Sequence, residues 1–246
     1  MPEFFTVVSP ASDPLGAVFC AALARSLSRH GARVLLLDLS PSLPCLDVVL
    51  GCAERTVYTV SDAARVSPES LFLSVSTGKG REKGSFLFVP TFYGERIEDA
   101  HLRALASASG ADFVIGLADG ATAPTAAAVS DGLLLFSRVG EVYLRAAVSF
   151  AETLAMDGFV LADLPLAAEA LRGTPTLTEL SDALGLSLFG ILPRTAEENT
   201  LAPRGKDFLV AADNMAGRLM GEDIPLLRGL SIEGMTRRAY FERKRR

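Results

Sequence analysis

The sequence predicts an α/β protein: a doubly wound, mostly parallel sheet of seven or eight strands flanked by helices. Three observations carry this. Short aliphatic runs alternate with longer helical periods along all 246 residues. The runs are apolar at consecutive positions, the pattern of strands covered on both faces. Hydrophobic residues reach 49%, with 7% aromatics and no Trp, so a large aliphatic core is available and wholesale disorder is excluded.

Phe4–Ser9 reads as the first buried strand. Pro14–His30 follows as a helix, with Gly31 in the terminating position. Arg33–Asp38 (RVLLLD) is the second strand. Further strands are expected at Ser85–Pro90, Asp112–Leu117, Gly132–Ser137, Phe159–Asp163 and Ser187–Leu192. Helices fall near 97–109, 122–130, 140–156, 176–184 and 207–220. No repeat or long linker breaks the series, so 1–225 is expected to form the main domain and 226–246 a basic tail. Residues 76–85 form the least structured stretch. Within it, Thr77–Arg81 has the letters of a phosphate loop but precedes a strand instead of opening a helix, so it reads as an exposed turn.

The net charge of −5 is uneven. Residues 231–246 carry six basic and two acidic side chains, a net of +4, and the other 230 residues carry −9. An acidic body makes nucleic-acid binding an unfavoured expectation. Cys20, Cys45 and Cys52 sit in apolar runs without ligand spacing, the pattern of reduced thiols packed as small hydrophobes. His30 and His101 have no ligand set beside them, so no metal site is expected. No signal-peptide pattern and no apolar run of about 20 residues occurs, which makes the cytoplasm the expected compartment.

In a doubly wound sheet, ligands bind outside the carboxyl ends of the strands. The loop to inspect is therefore Ser9-Pro10-Ala11-Ser12-Asp13-Pro14-Leu15-Gly16-Ala17-Val18. A phosphate loop needs glycines that let the backbone wrap the anion, a lysine for its charge and a hydroxyl for magnesium. This loop has one glycine, no lysine, and Ala17-Val18 where hydroxyls would serve. Asp13-Pro14 reads as an N-cap followed by proline at the first helical position. That places a carboxylate at the helix end where a phosphate would sit. Two readings stand: an ordinary capped helix without ligand, or a modified ligand site.

At these residues the chain resembles the MinD/ParA family of deviant-Walker ATPases, most of all its MinD branch. The family opens with a strand, a loop of the form SGKGGVGKTT, a helix and a strand ending VLLIDAD. Placing Ser9 on the family's serine brings Val34–Asp38 (VLLLD) onto VLLID without a gap. Leu46–Gly51 is similar to NLDLVLG, Arg55–Thr59 to RIVYT, Phe86–Pro90 to the strand ending LLP, Asp112–Ile115 to DFVLID and Leu184–Pro193 to LGIPLLGIIP. Gly205 lies in a segment similar to NRGEP. The resemblance covers roughly 1–225 and implies a P-loop NTPase-like fold of the SIMIBI type.

The departures gather on the chemistry. The signature lysine falls on Ala11, the Walker lysine on Gly16 and the magnesium-binding threonine on Ala17. Asp38 is retained, but the family's catalytic aspartate becomes Ser40. The Walker B aspartate falls on Leu117 unless Asp119 approximates it. The adenine-reading asparagine falls on Asp163, and the adenine-flanking proline persists as Pro193. Phosphoryl transfer rests on electrostatic positioning, so losing both lysines implies a pseudo-ATPase with no catalytic residues and no expected cofactor. The relic nucleotide loop comprises Ser12, Asp13, Leu15, Gly16, Ala17, Val18, Asp38, Asp119, Asp163 and Pro193. ATP and magnesium are expected only if the site has been rebuilt, for example around Asp38, Asp119 or Lys79.

The tail reads SIEGMTRRAYFERKRR. As a helix it gathers Ile232, Met235, Ala239 and the Tyr240/Phe241 pair near one side, with Arg237, Arg238, Arg243 and Lys244 largely elsewhere. That suits weak binding to an anionic membrane surface. A frayed basic terminus is the plain alternative. The resemblance, whose MinD members end in a basic membrane-targeting helix, favours the membrane reading. It further implies a spatial regulator or scaffold in septum-site determination, chromosome, flagellum or pilus positioning. Such a protein would be cytoplasmic or peripheral on the inner membrane face, and would pair as a homodimer or with an active paralogue. An active ATPase with a rebuilt site and a pilus- or secretion-assembly adaptor are the competing expectations.

Overall fold

The computed structural model describes residues 1–55, 58–76, 84–164, 177–193, 206–226 and 228–230. The chain forms two compact units, Met1–Leu133 and Leu134–Arg246.

The first unit contains β1 (Glu3–Val8), α1 (Pro14–Arg29), β2 (Val34–Leu39), α2 (Leu46–Leu50), α3 (Pro68–Leu71), β3 (Leu73–Ser76), β4 (Ser85–Val89), α4 (Asp99–Ser109), β5 (Phe113–Ala118) and α5 (Ala123–Ala127). Short 3-10 turns lie at Ala53–Arg55 and Val60–Ala64. Its strands stand in the order β3-β4-β2-β5-β1. β4, β2, β5 and β1 run parallel, while β3 pairs antiparallel with β4 at the edge.

The aliphatic run of β2 explains its place: all six of its residues are buried. Leu35, Leu37 and Leu39 join the core cluster with Phe4, Val89, Leu102, Leu105 and Val114. Each fully buried leucine stabilises the fold by roughly 2 kcal/mol. α1 starts at Pro14 after its Asp13 cap and ends at His30, where Gly31 takes a φ of 92° that a side chain would disfavour. Cys20 and Cys52 are buried and Cys45 is half-buried, and each carries a thiol in place of a disulfide. Burial pushes the Cys45 thiol up to about 12.

The second unit contains β6 (Gly132–Arg138, starting at the boundary), α6 (Glu141–Ala151), β7 (Gly158–Leu164), α7 (Leu177–Leu184), β8 (Leu188–Pro193) and α8 (Lys206–Leu219). β6, β7 and β8 pair in parallel in that order. Among the described residues, then, eight mostly parallel strands alternate with helices, the α/β class the sequence predicts.

Several details differ from the expectation: the helix expected over 140–156 stops at Ala151, and the short helices α2 and α3 were not anticipated. The edge strand β3 was not anticipated, because Leu-Ser-Val-Ser is too short and too polar to stand out. The helix expected over 122–130 shrinks to Ala123–Ala127, after which Ser130 turns its hydroxyl back onto the Ala126 carbonyl.

Candidate functional site

The first loop leaves β1 at Val8 and is tied to β5 by the Ser9 N–H, which donates to the Ala118 carbonyl at 2.8 Å. From there the loop closes on itself. The Ser12 N–H donates to the Ser9 carbonyl at 2.9 Å, and the Asp13 N–H to the Ser9 hydroxyl at 3.0 Å. The Leu15 N–H donates to the Asp13 carboxylate and the Gly16 N–H to the Asp13 carbonyl, both at 2.9 Å. Pro14 has no N–H. Every N–H from Ser12 to Gly16 therefore already has an acceptor inside the loop. Leu15 is half-buried, and Gly16, Ala17 and Val18 are buried in the first turn of α1.

Ser12 stands where the resembled loop has glycine, and it keeps a glycine-like φ of 51°. Its hydroxyl lies 2.9 Å from that of Ser42, in the loop after β2. That loop is gripped by two carboxylates. Asp38, at the end of β2, accepts the Ser40 N–H on one oxygen (3.1 Å) and those of Cys45 (3.2 Å) and Leu46 (3.1 Å) on the other. Asp119, just past β5, accepts the backbone N–H and the hydroxyl of Ser42 on one oxygen and the N–H groups of Ala121 and Thr122 on the other. The Thr122 hydroxyl donates to the Leu39 carbonyl at 2.5 Å.

All the donors to Asp38 and Asp119 are neutral, and the two acids respond differently. Burial pushes the Asp38 carboxyl up to about 7, against the pull of its three N–H bonds, and the Asp47 charge adds to the rise. At Asp119 burial also raises the value, but the bonds from Ser42 and Thr122 outweigh it and hold the carboxyl below its ordinary range.

Asp163 and Pro193 lie in the second unit, at the ends of β7 and β8. Asp163 accepts from Arg138 at 2.8 Å, and the guanidinium also covers the Tyr143 ring at 5.5 Å. Its φ is 63°, so the two described non-glycine residues with positive φ, Ser12 and Asp163, both belong to the sequence-predicted set. Lys79 and the tail residues Arg237, Arg238, Tyr240, Phe241, Arg243 and Lys244 lie outside the described residues.

Sequence reasoning missed Ser42, Thr122 and Arg138. Thr122 carries the one local signal, an Asp three residues before a Thr, the spacing of a side-chain-closed turn. Ser42 and Arg138 sit in no motif.

These residues do not fit ATP and magnesium. A triphosphate needs free N–H donors and cations, whereas this loop turns its donors inward and sets the Asp13 carboxylate against the helix end. Buried Ala17 offers magnesium no hydroxyl. Among the described residues, no cluster of His, Cys, Asp and Glu is arranged to hold a metal ion.

No family profile and no curated protein matches the sequence. Solved structures do match. The MinC:MinD cell division protein complex of Aquifex aeolicus aligns with a TM-score of 0.76 at 20% identity, over 92% of this chain and 98% of that one. The cell division ATPase MinD of Pyrococcus furiosus gives 0.65 at 17%, over 90% and 99%. A ParA family ATPase of Chlorobium tepidum gives 0.61 at 16%, over 91% and 95%. The chain has the fold of the MinD and ParA ATPases.

Proposed function

We propose that this chain is a pseudo-ATPase, a protein of MinD/ParA fold that acts as a non-catalytic spatial regulator or scaffold. One observation carries the reading: the N–H groups of Ser12, Asp13, Leu15 and Gly16 are all bonded to Ser9 and Asp13, on a loop with no lysine. A loop closed in this way offers an anion repulsion in place of donors. Isothermal calorimetry with ATP and magnesium tests it. No binding heat is expected, and micromolar affinity overturns the reading.

A scaffold works through partners. One fold neighbour was solved as a complex of MinD with MinC, which supports a protein partner here, either a second copy or an active paralogue. The basic tail adds a contact with anionic lipid. No helix among the described residues is long and apolar enough to cross a membrane, so attachment through the tail would be peripheral. Flotation on anionic liposomes, with and without residues 231–246, tests this part. Binding that survives the deletion counts against it.

A further inference from the structure

The second unit leaves one helix poorly covered. α6 (EVYLRAAVSFA) is apolar at every position but Glu141, Arg145 and Ser149, yet Ala147 is its one buried residue. Val142 is 76% exposed, and Leu144, Val148 and Phe150 are half-buried. Between α6 and α7 lies an open cavity of about 590 Å³, a size that holds sizeable organic groups. Leu144, Val148, Leu180 and Ala183 line it with hydrocarbon. Glu141, Arg145 and Glu179, all exposed, supply its charge.

That charge is acidic. Arg145 is engaged with Glu141 at 2.6 Å. With the α6 C-cap Glu152 and with Asp182, the two helices carry four acidic side chains against one basic, a net of −3. Residues 231–246 carry +4 together with Met235, Tyr240 and Phe241. They also start at the cavity's end of the sheet. Arg218 donates to the Phe189 carbonyl and Met215 lies against Gly190, so α8 runs back along β8 with its first turns at the carboxyl end. Asn214 donates to the Arg228 carbonyl at 2.7 Å, Gly229 lies beside Val210, and Leu230 is buried. The tail thus departs beside the first half of α8. In this parallel trio of strands, that is the end where Val139 and Gly140 line the cavity.

We infer that residues 231–246 of this same chain seat in the groove between α6 and α7, with Tyr240 and Phe241 in the cavity and the basic side chains against its acids, and that anionic lipid draws them out. The inference rests on the reading of the tail as the lipid contact and adds its regulation. An apolar groove with an acidic rim calls for a basic amphipathic occupant, and this chain carries one on the same unit. Reach is sufficient: sixteen residues span ~24 Å even when wound as a helix, against a radius of gyration of ~13 Å for a unit of this size. Tethering makes the docking intramolecular, at an effective concentration on the order of millimolar, so a modest contact fills the groove. The two seats exclude each other, because groove and bilayer take the same aromatic side chains.

Hydrogen exchange of the full chain without lipid tests this. Tyr240→Ser with Phe241→Ser should raise exchange about tenfold at the amides of α6 and α7 and leave the first unit unchanged. The protection in the parent should be the same from micromolar to hundreds of micromolar protein. Ala183→Phe, at an exposed position, fills the groove without changing charge. It should raise flotation on liposomes of mixed phosphatidylglycerol and phosphatidylcholine several-fold, and removal of residues 231–246 should abolish that gain. Unchanged exchange in the tail variant overturns the inference, as does flotation that Ala183→Phe leaves unaltered. Protection that grows with protein concentration assigns the groove to the tail of a second copy and overturns it as well. None of these results touches the lipid reading, which fails if flotation of the parent survives loss of the tail.

Discussion

Ser42 gives both its backbone N–H (3.2 Å) and its hydroxyl (2.5 Å) to one oxygen of Asp119. The same hydroxyl lies against Ser12. A carboxylate past β5 thus fixes the loop after β2, which in turn touches the loop after β1. Three strand ends are locked by neutral donors on a negative charge, and such bonds are among the stronger ones a protein makes.

Removing that acceptor should be costly. Asp119→Ala strands the N–H groups of Ser42, Ala121 and Thr122, and should destabilise the protein by about 3 kcal/mol in urea unfolding. Asp119→Asn, which keeps one acceptor oxygen, should cost less. The carboxyl of Asp119 is depressed in the folded state. Its contribution is therefore present above the ordinary carboxyl range and lost as pH falls through the depressed value. Equal stability of the alanine variant and its parent at neutral pH would remove Asp119 from the clamp.

Asp38 should show the opposite pH behaviour. Its folded value is raised to about 7, against about 4 for an unfolded aspartate. Between those limits the folded chain holds a proton that the unfolded chain has released. Its contribution is fully present below about 4 and is lost as pH rises through about 7. Asp38→Asn cannot titrate, so the difference in unfolding free energy between parent and variant should change steadily across that window. A pH-independent difference would show that Asp38 does not titrate there.

The contrast between these two acids marks what the sequence can convey. β2 is legible because VLLLDL is apolar throughout and its burial is complete. The Asp13 cap is legible because donor and acceptor lie two residues apart. Asp119 could be read only as a displaced Walker B aspartate, since its main partner, Ser42, lies 77 residues away in a segment with no motif. Glu95 accepts the hydroxyls of Thr59, Ser61 and Thr91, joins residues up to 36 positions apart and leaves no periodic trace. Local capping and continuous burial are written in neighbouring residues, whereas a clamp between loops exists only once the strands are in register.

Asp13 supports a prediction about anions. As an N-cap it should contribute about 1 kcal/mol, which Asp13→Ala removes. The same change lifts a negative charge from the end of α1 and frees the Leu15 N–H. Inorganic phosphate should then raise the melting temperature of Asp13→Ala while leaving the parent unmoved, because an exposed helix N-terminus attracts anions. Equal phosphate responses would mean that the carboxylate does not guard this position.

Asp163 allows backbone and charge to be separated. Its φ of 63° lies in the left-handed region, which aspartate and asparagine tolerate better than other side chains. Its carboxylate also meets Arg138 at 2.8 Å, with side-chain exposures of 32% for the arginine and 15% for the aspartate. Asp163→Asn keeps the backbone tolerance and one acceptor for the guanidinium, so it should cost under about 1 kcal/mol. Asp163→Gly frees the backbone but loses the pair. Asp163→Ala loses the pair and also places an unassisted Cβ in the left-handed region, for about 1 kcal/mol beyond the glycine variant. Urea unfolding should therefore rank asparagine above glycine and glycine above alanine. If alanine matched glycine, the positive φ would carry no strain. If glycine matched asparagine, the Arg138 contact would contribute nothing, and backbone shape alone would favour asparagine at this position.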